Sequence, residues 1–441
     1  MMKTKRLLLQ EVVLCWAFLF GLCMIVLSCV ADDRAIATPA ISVLQPSPPE
    51  TATSQPVSDS TWISLPSGVS GEVAYLSNRT GLSEIWFLDL TTGVERRLTH
   101  TKCCGPYASC GGGSGPDWYQ PGVERFAWSP DGKKIAYLTT CSTVGHLAHQ
   151  TVLDVESGSI ISFTDHVSTY SYPSWAPTGD RFIFAWSSNT SLEEGMYIAA
   201  LDGRNSVDIM RFTHAREGYY FPVWSPGGDY IAYRGPYIGV ASRTYVSIID
   251  LNGDHVVYTD THQGERTAWI AAPALGSGLT WSKTGRYLAV ATAREYVPGS
   301  LRLVELEGGT ATIYPTRLTS YYFEEMFGLD FFSPVFSPDE KTLYFVATWP
   351  DAEFGWPLGT IYSTEVERFL AGEILSVEDI QVISPVDQLA GLPDLSSDGK
   401  WLLYTVKEGK GTEVWLQSVD GSYRQPLIVN GSVNWRSAWR P

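Results

Sequence analysis

Two sets of side chains in this sequence are of kinds that do chemistry. Cys103, Cys104, Cys110 and Cys141 lie in or near a glycine-rich stretch, and Cys29 ends an uncharged apolar run. The second set is aromatic and acidic: Tyr321, Tyr322, Glu324 and Glu325 in 319–332, Trp349, Asp351 and Trp356 in 349–358, and Trp269 in 261–278. Such rings stack on sugars or grip peptides, and the carboxylates accept hydrogen bonds. The same rings also serve simply to pack a loop against its support. Histidine, the commonest metal ligand, recurs at His100, His146, His149, His166, His214 and His262. No G-x-S-x-G elbow, phosphate-binding loop or dinucleotide fingerprint occurs. The serine of GGGSG at 111–115 is misplaced for an elbow and reads as a flexible tip.

These residues need a scaffold, and composition limits its kind. The chain has 441 residues, 44% hydrophobic and 18% charged, which suits a globular body with a sizeable core. With 40 Gly, 26 Pro and 13% aromatics, turns and strands are favoured over long helices. A formal charge of −16 repels nucleic acid, so no nucleic-acid partner is expected.

The N-terminus differs from the rest. Lys3, Lys5 and Arg6 precede an uncharged run from Val12 to Ser28, the basic-then-apolar pattern of an export signal. Val26-Leu27-Ser28-Cys29 resembles a bacterial lipobox, although Leu27 is unusual in its slot. Residues 1–28 are thus expected to be a lipoprotein-type signal peptide, with Cys29 lipidated. Retention of the run as an uncleaved membrane anchor is the other reading. Either places the body in the cell envelope, outside the cytoplasm and tethered to the membrane. Residues 29–60, rich in Pro, Ser and Thr, read as an extended tether or as an arm lying on the body.

A repeat organises the remainder, 61–441. FAWSPDGKKIAY (126–137) recurs as PSWAPTGDRFIF, PVWSPGGDYIAY, LTWSKTGRYLAV, PVFSPDEKTLYF and PDLSSDGKWLLY. Its apolar marker falls at Trp128, Trp175, Trp224, Trp281, Phe336 and Leu395, with spacings of 47, 49, 57, 55 and 59 residues. Each unit reads as four strands, joined by turns in which Pro presets one backbone angle and Gly accepts a positive one. A four-stranded sheet with two faces to cover is satisfied by radial stacking, the β-propeller solution. Residues 71–99 supply strands two to four of a further unit, and SAWRP at 437–441 matches the first strand that this unit lacks. The expected fold is therefore all-β: a seven-bladed β-propeller of four-stranded blades, its ring closed by the C-terminal strand joining the N-terminal blade.

The repeat resembles that of the TolB-type, or PD40, WD40-like propeller family, whose units run close to PxWSPDGxxIAF…IYxxDLxGxxxRxLT. EIWFLDL at 84–90 and RRLT at 96–99 are close matches, and the resemblance spans about 71–441. It implies the fold. Periplasmic TolB carries an extra domain before a six-bladed ring, whereas this chain has a tether, so a role with the Tol–Pal system is not implied. Function must come from a site.

In such a fold the long insertions cluster on one face, opposite the SPDG turns, and long loops are usually functional. The cysteine stretch and the aromatic and acidic loops all belong to that face. Outside the cytoplasm four cysteines read as two disulfides with the pairing open. A bond from the 103–110 stretch to Cys141 would close about 37 residues and contribute about 3–4 kcal/mol. A zinc site is the alternative, without any C-x-x-C pair to support it. The expectation is a monomeric binding or scaffolding body that holds an envelope or extracellular protein, peptide or glycan, with no cofactor and no catalytic residues assigned. The alternative is a metal-dependent propeller enzyme, a polysaccharide lyase or hydrolase acting on extracellular glycans. Oligogalacturonate lyases are also seven-bladed and bind metal through histidine, but His100, His166, His214 and His262 here fall at or just after fourth strands, at the rim, and His146 and His149 in a loop of the long-insertion face.

Overall fold

The computed structural model describes residues 41–43, 65–101, 122–139, 149–163, 172–187, 193–203, 206–213, 221–236, 244–259, 278–292, 300–319, 330–348, 358–372 and 380–441. All belong to one of the chain's two compact units, Ala40–Pro441. The signal segment and Cys29 lie outside the described residues.

Seven antiparallel sheets make up this unit. Blade 2 shows the pattern: Val123–Trp128 is innermost, then Lys134–Thr139, His149–Asp154 and Ile160–Phe163. Blades 3 to 7 repeat it, with inner strands Ser174–Trp175, Val223–Trp224, Leu279–Trp281, Asp330–Phe336 and Ala390–Leu395. Blade 1 is composite. Glu72–Ser77, Glu84–Asp89 and Glu95–Arg97 take Asn434–Trp439 as their inner strand, with Val73 opposite Trp439 and Ser77 opposite Asn434. The C-terminal strand thus closes the ring, as the sequence predicts.

Among the described residues the core forms eight clusters, seven of which each join two neighbouring blades. Alternation along a strand makes this possible, because successive side chains leave opposite faces of the sheet. In blade 1, Ala74 and Leu76 pack with Phe126 and Ile135 of blade 2, whereas Val73 and Tyr75 pack with Leu403 and Leu416 of blade 7. The second of these clusters joins the last blade to the first.

Hydrogen bonds stitch the inner strands together as well. The indole Nε1 of Trp175 donates to the Ala127 carbonyl at 3.0 Å, and that of Trp281 to the Val223 carbonyl at 3.1 Å. Each bond reaches the preceding blade.

The SPDG turns are built by local polar chemistry. Ser129 Oγ donates to Asp131 Oδ1 at 2.6 Å and accepts the Lys134 N–H at 2.8 Å, while Gly132 takes φ +65°. The same bonds recur at Ser337 with Asp339 and at Ser396 with Asp398. These carboxylates act in turns.

Two details depart from the sequence reading. Ile41–Val43, inside the expected tether, pairs antiparallel with Ile161–Phe163 as a fifth strand of blade 2, so this part lies on the body. Val366–Leu370 is a single helical turn whose Val366 and Phe369 enter the core between blades 5 and 6.

Candidate functional site

Reading three residues back from each repeat marker gives Arg125, Tyr172, Phe221, Gly278, Ser333, Leu392 and Arg436, one from each blade. Several of these meet. The Arg125 guanidinium carbon lies 4.2 Å from the Tyr172 ring centroid and 5.8 Å from that of Phe221. Arg436 lies 4.0 Å from the same Tyr172 ring, and the Tyr172 and Phe221 rings are 6.2 Å apart. Arg436 belongs to blade 1 and Tyr172 to blade 3. Side chains from blades that are not neighbours touch only where inner strands converge, on the axis.

The backbone is bent to reach it. Ladder register shifts occur at Val123/Arg125, Phe332/Val335, Gly391/Asp394 and opposite Arg436 at Ala74/Leu76. Such bulges re-aim side chains and collect near functional sites. Ser333, Leu392 and Arg436 take φ of +46°, +55° and +47°, a region that costs a non-glycine residue about 1–2 kcal/mol. Consecutive blades 6, 7 and 1 therefore hold strained residues at one level of the axis. Strain of this kind persists at ligand sites.

Charge is concentrated there too. Arg125 is 1% exposed and Tyr172 5%, whereas Arg436 and Asp394 are partly exposed. Burial lowers the pKa of Arg436 from the ordinary arginine value; Tyr172 and Asp394 oppose that shift, and the charge of Arg125 adds to it. Asp394, one residue before the blade 7 marker, has its pKa pushed up to about 6 by burial. Its Oδ2 accepts the Trp439 N–H at 2.8 Å, bridging blades 7 and 1. Glu124, the extra residue of the blade 2 bulge, is 8% exposed. The hydroxyl of Ser333 is buried without a hydrogen-bond partner. Two guanidiniums thus lie against one aromatic ring, with the Asp394 carboxylate near Arg436.

Cys103, Cys104, Cys110, Cys141, Trp269, Tyr321, Tyr322, Glu324, Glu325, Trp349, Asp351 and Trp356 all fall outside the described residues. One boundary is corrected: 319–332 is not all loop, because Thr310–Thr319 and Asp330–Phe336 are strands, and Phe331 is 1% exposed in the core. Among the described residues no three His, Cys, Asp or Glu side chains form a metal-binding group; His100 is exposed just beyond its fourth strand, and His149, read as a loop residue, instead begins the strand His149–Asp154. The axial residues occupy a position that the repeat motif leaves variable, three residues before its marker. The signal lay at a variable position, where seven copies carry two arginines.

Next to the glycine-rich stretch, blade 1 is reinforced. Glu84 is fully buried, and it accepts Arg97 at 2.8 Å and the Thr101 N–H at 2.7 Å, as well as the Thr99 hydroxyl. This network fixes the end of the strand that leads into 102–121.

No protein-family model and no curated protein sequence matches the chain. Solved structures do. An oligogalacturonate lyase from Vibrio parahaemolyticus aligns at 12% identity and TM-score 0.52, over 80% of this chain and 88% of that one. Prolyl oligopeptidase B from Galerina marginata aligns at 12% identity and TM-score 0.52 over 81% of this chain; the chain spans 48% of its length. TolB from Acinetobacter baumannii aligns at 16% identity and TM-score 0.44, over 84% of this chain and 67% of that one. At these identities the likeness is one of fold alone, and by fold the chain is a seven-bladed β-propeller.

Proposed function

We propose that this propeller is a binding or scaffolding protein, held outside the cytoplasm by an N-terminal lipid or signal anchor. It takes an envelope or extracellular protein, peptide or glycan at the face opposite the SPDG turns. The axial group of Arg125, Tyr172 and Arg436 carries this reading. With Phe221 it draws on four consecutive blades, and it includes buried charge at Arg125 and a strained backbone at Arg436. The proposed contact residues are Tyr321, Tyr322, Trp349 and Trp356 in the long insertions, with the four cysteines as proposed disulfide staples.

The test is capture from envelope extracts with the tagged full-length protein, followed by reconstitution with each purified partner. A partner that binds wild type and is lost on deletion of 349–357 supports the reading; one that survives every loop deletion removes it. Lipidation is tested apart: fatty-acid labelling that persists in Cys29→Ala ends the lipoprotein assignment. The fold shared with an oligogalacturonate lyase supports a second reading, an enzyme acting on anionic glycans. Turnover of a polyuronide, with or without added metal, would replace the binding role by that one.

A further inference from the structure

We infer that the outer edge of blade 2, strand Ile160–Phe163, is a binding site for an extended peptide segment, and that Ile41–Val43 occupies it as an intramolecular competitor. The inference goes beyond the proposed function. Its site is the rim of the propeller, and its partner is an uncharged β-strand.

Backbone chemistry comes first. Inside blade 2 the Asp154 N–H donates to the Ser159 carbonyl at 2.9 Å, heading a ladder in which Leu153 faces Ile160 and Gln150 faces Phe163. Bonded and non-bonded pairs alternate along an antiparallel ladder, so Ile161 and Phe163 bond inwards to the third strand. Ser162 therefore turns its N–H and carbonyl outwards, and Ser42 stands opposite it. Outward groups of this kind are a template for another strand. Other edges are blunted. The outer strands of blades 1, 3, 5 and 7 contain arginine or proline: Arg96, Arg211, Pro315 and Pro426 are examples. Blade 6 ends in a two-residue strand, and His255–Thr259 of blade 4 is bounded by Asp254 and Asp260. Ile160–Phe163 has none of these devices. Among the described residues, blade 2 alone carries a fifth strand.

The occupant indicates what the edge accepts. Ile41 pairs with Phe163 and Val43 with Ile161, and both of these edge residues belong to the cluster shared with blade 3. Directly opposed residues share a face of the sheet, so the site suits β-branched apolar residues at two positions separated by one of any kind. From 37 to 56, Ile41, Val43 and Leu44 are the only Ile, Leu, Val or aromatic residues. Pro39 and Pro46 bound this stretch, and proline has no N–H with which to extend the ladder. Pairing over three residues leaves the strap displaceable. Residues 44–64 join it to the body, so it competes at an effective concentration on the order of a millimolar. A partner strand that pairs over more of the edge takes its place.

Fluorescence anisotropy on the full-length protein in detergent tests this, with a labelled peptide of residues 38–46, TPAISVLQP, as the probe. Ser42→Pro disables the strap by removing the N–H that faces Ser162. Ser162→Pro disables the edge, and proline is tolerated in an edge strand where its missing N–H points outwards. Thermal melts of both variants confirm folding. Ser42→Pro is expected to bind the peptide at least tenfold more tightly than wild type. Adding Ser162→Pro should weaken that binding at least tenfold, and so should N-methylation of the serine in the peptide, which leaves the protein untouched. Hydrogen exchange in 159–164 should quicken in Ser42→Pro and slow again when the peptide is added. Equal binding by wild type and Ser42→Pro, binding that survives both Ser162→Pro and N-methylation, or no binding to Ser42→Pro at millimolar peptide would overturn the site. A wild-type dimer that Ser42→Pro dissolves would assign the strap to a second copy and overturn the intramolecular arrangement. If the protein still captures its partner through the loops while ignoring the peptide, this inference fails and the proposed function stands.

Discussion

Glu340 reaches from blade 6 into blade 5, where its carboxylate accepts the Thr284 backbone N–H at 2.5 Å and the Thr284 hydroxyl at 2.9 Å. The pairing replaces a junction used elsewhere. A β-carbon on Gly228 would lie 3.1 Å from Pro177 of the preceding blade, and one on Gly399 3.0 Å from Pro338, so turn glycine packs on turn proline. At this one junction blade 5 has Lys283 instead of Pro, and blade 6 has Glu340 instead of Gly, at φ +61°. Glu340→Ala keeps the strain and loses the tether, so it should destabilise by about 1–2 kcal/mol in urea unfolding. Glu340→Gly should cost less, and Lys283→Pro with Glu340→Gly should recover wild-type stability. A double variant less stable than Glu340→Ala would show that the two junction types are not equivalent.

Ring closure makes a second prediction. The last residues do two jobs: Asn434–Trp439 completes blade 1, and Arg440 then bonds the Gly132 carbonyl at 2.7 Å and Glu72 Oε2 at 2.5 Å. Ending the chain at Val433 would uncover Ala74 and Leu76, which are fully buried in the native protein. Loss of the cooperative thermal transition is expected, with recovery when a peptide of residues 434–441 is added. Arg440→Ala, which removes a half-exposed pair, should cost no more than about 1 kcal/mol. A truncated chain that melts like wild type would mean that closure adds nothing.

Much of this was legible in the primary structure, for a physical reason. Turn residues and period-two alternation are local requirements, repeated in every blade, so Trp128 and its counterparts announced both the fold and the closing strand. Arg436 was not legible in that way. Its neighbours Tyr172 and Arg125 are hundreds of residues distant in the chain, and only the closed ring brings them together. Ile41–Val43 was missed for the opposite reason: a short strand added to a sheet edge needs no pattern beyond free backbone groups.

Asp394 predicts a pH dependence with a definite sign. Burial raises its pKa from 3.8 to about 6, so the folded protein binds this proton more tightly than the unfolded chain does. Its contribution to stability is therefore greatest below about pH 4, falls as pH rises through 6, and is a constant penalty above that. Asp394→Asn should remove this component and be more stable than wild type at pH 8 by about 2 kcal/mol. Urea unfolding of both proteins between pH 4 and 8 checks it. A stability difference that does not vary with pH would mean that Asp394 is solvated in the folded state.

Strain at the axis yields predictions of opposite sign at equivalent positions. Ser333 and Leu392 both hold positive φ where blade 5 carries Gly278, so glycine relieves the backbone at either site. For Ser333 little is lost with the side chain, because its buried hydroxyl has no hydrogen-bond partner. Ser333→Gly should thus stabilise the protein by about 0.5–1 kcal/mol. Leu392 is 7% exposed and packs with Leu358, so Leu392→Gly forfeits apolar burial and should destabilise by about 2 kcal/mol or more despite the same relief. Lower stability in Ser333→Gly would instead show that the hydroxyl already serves the fold.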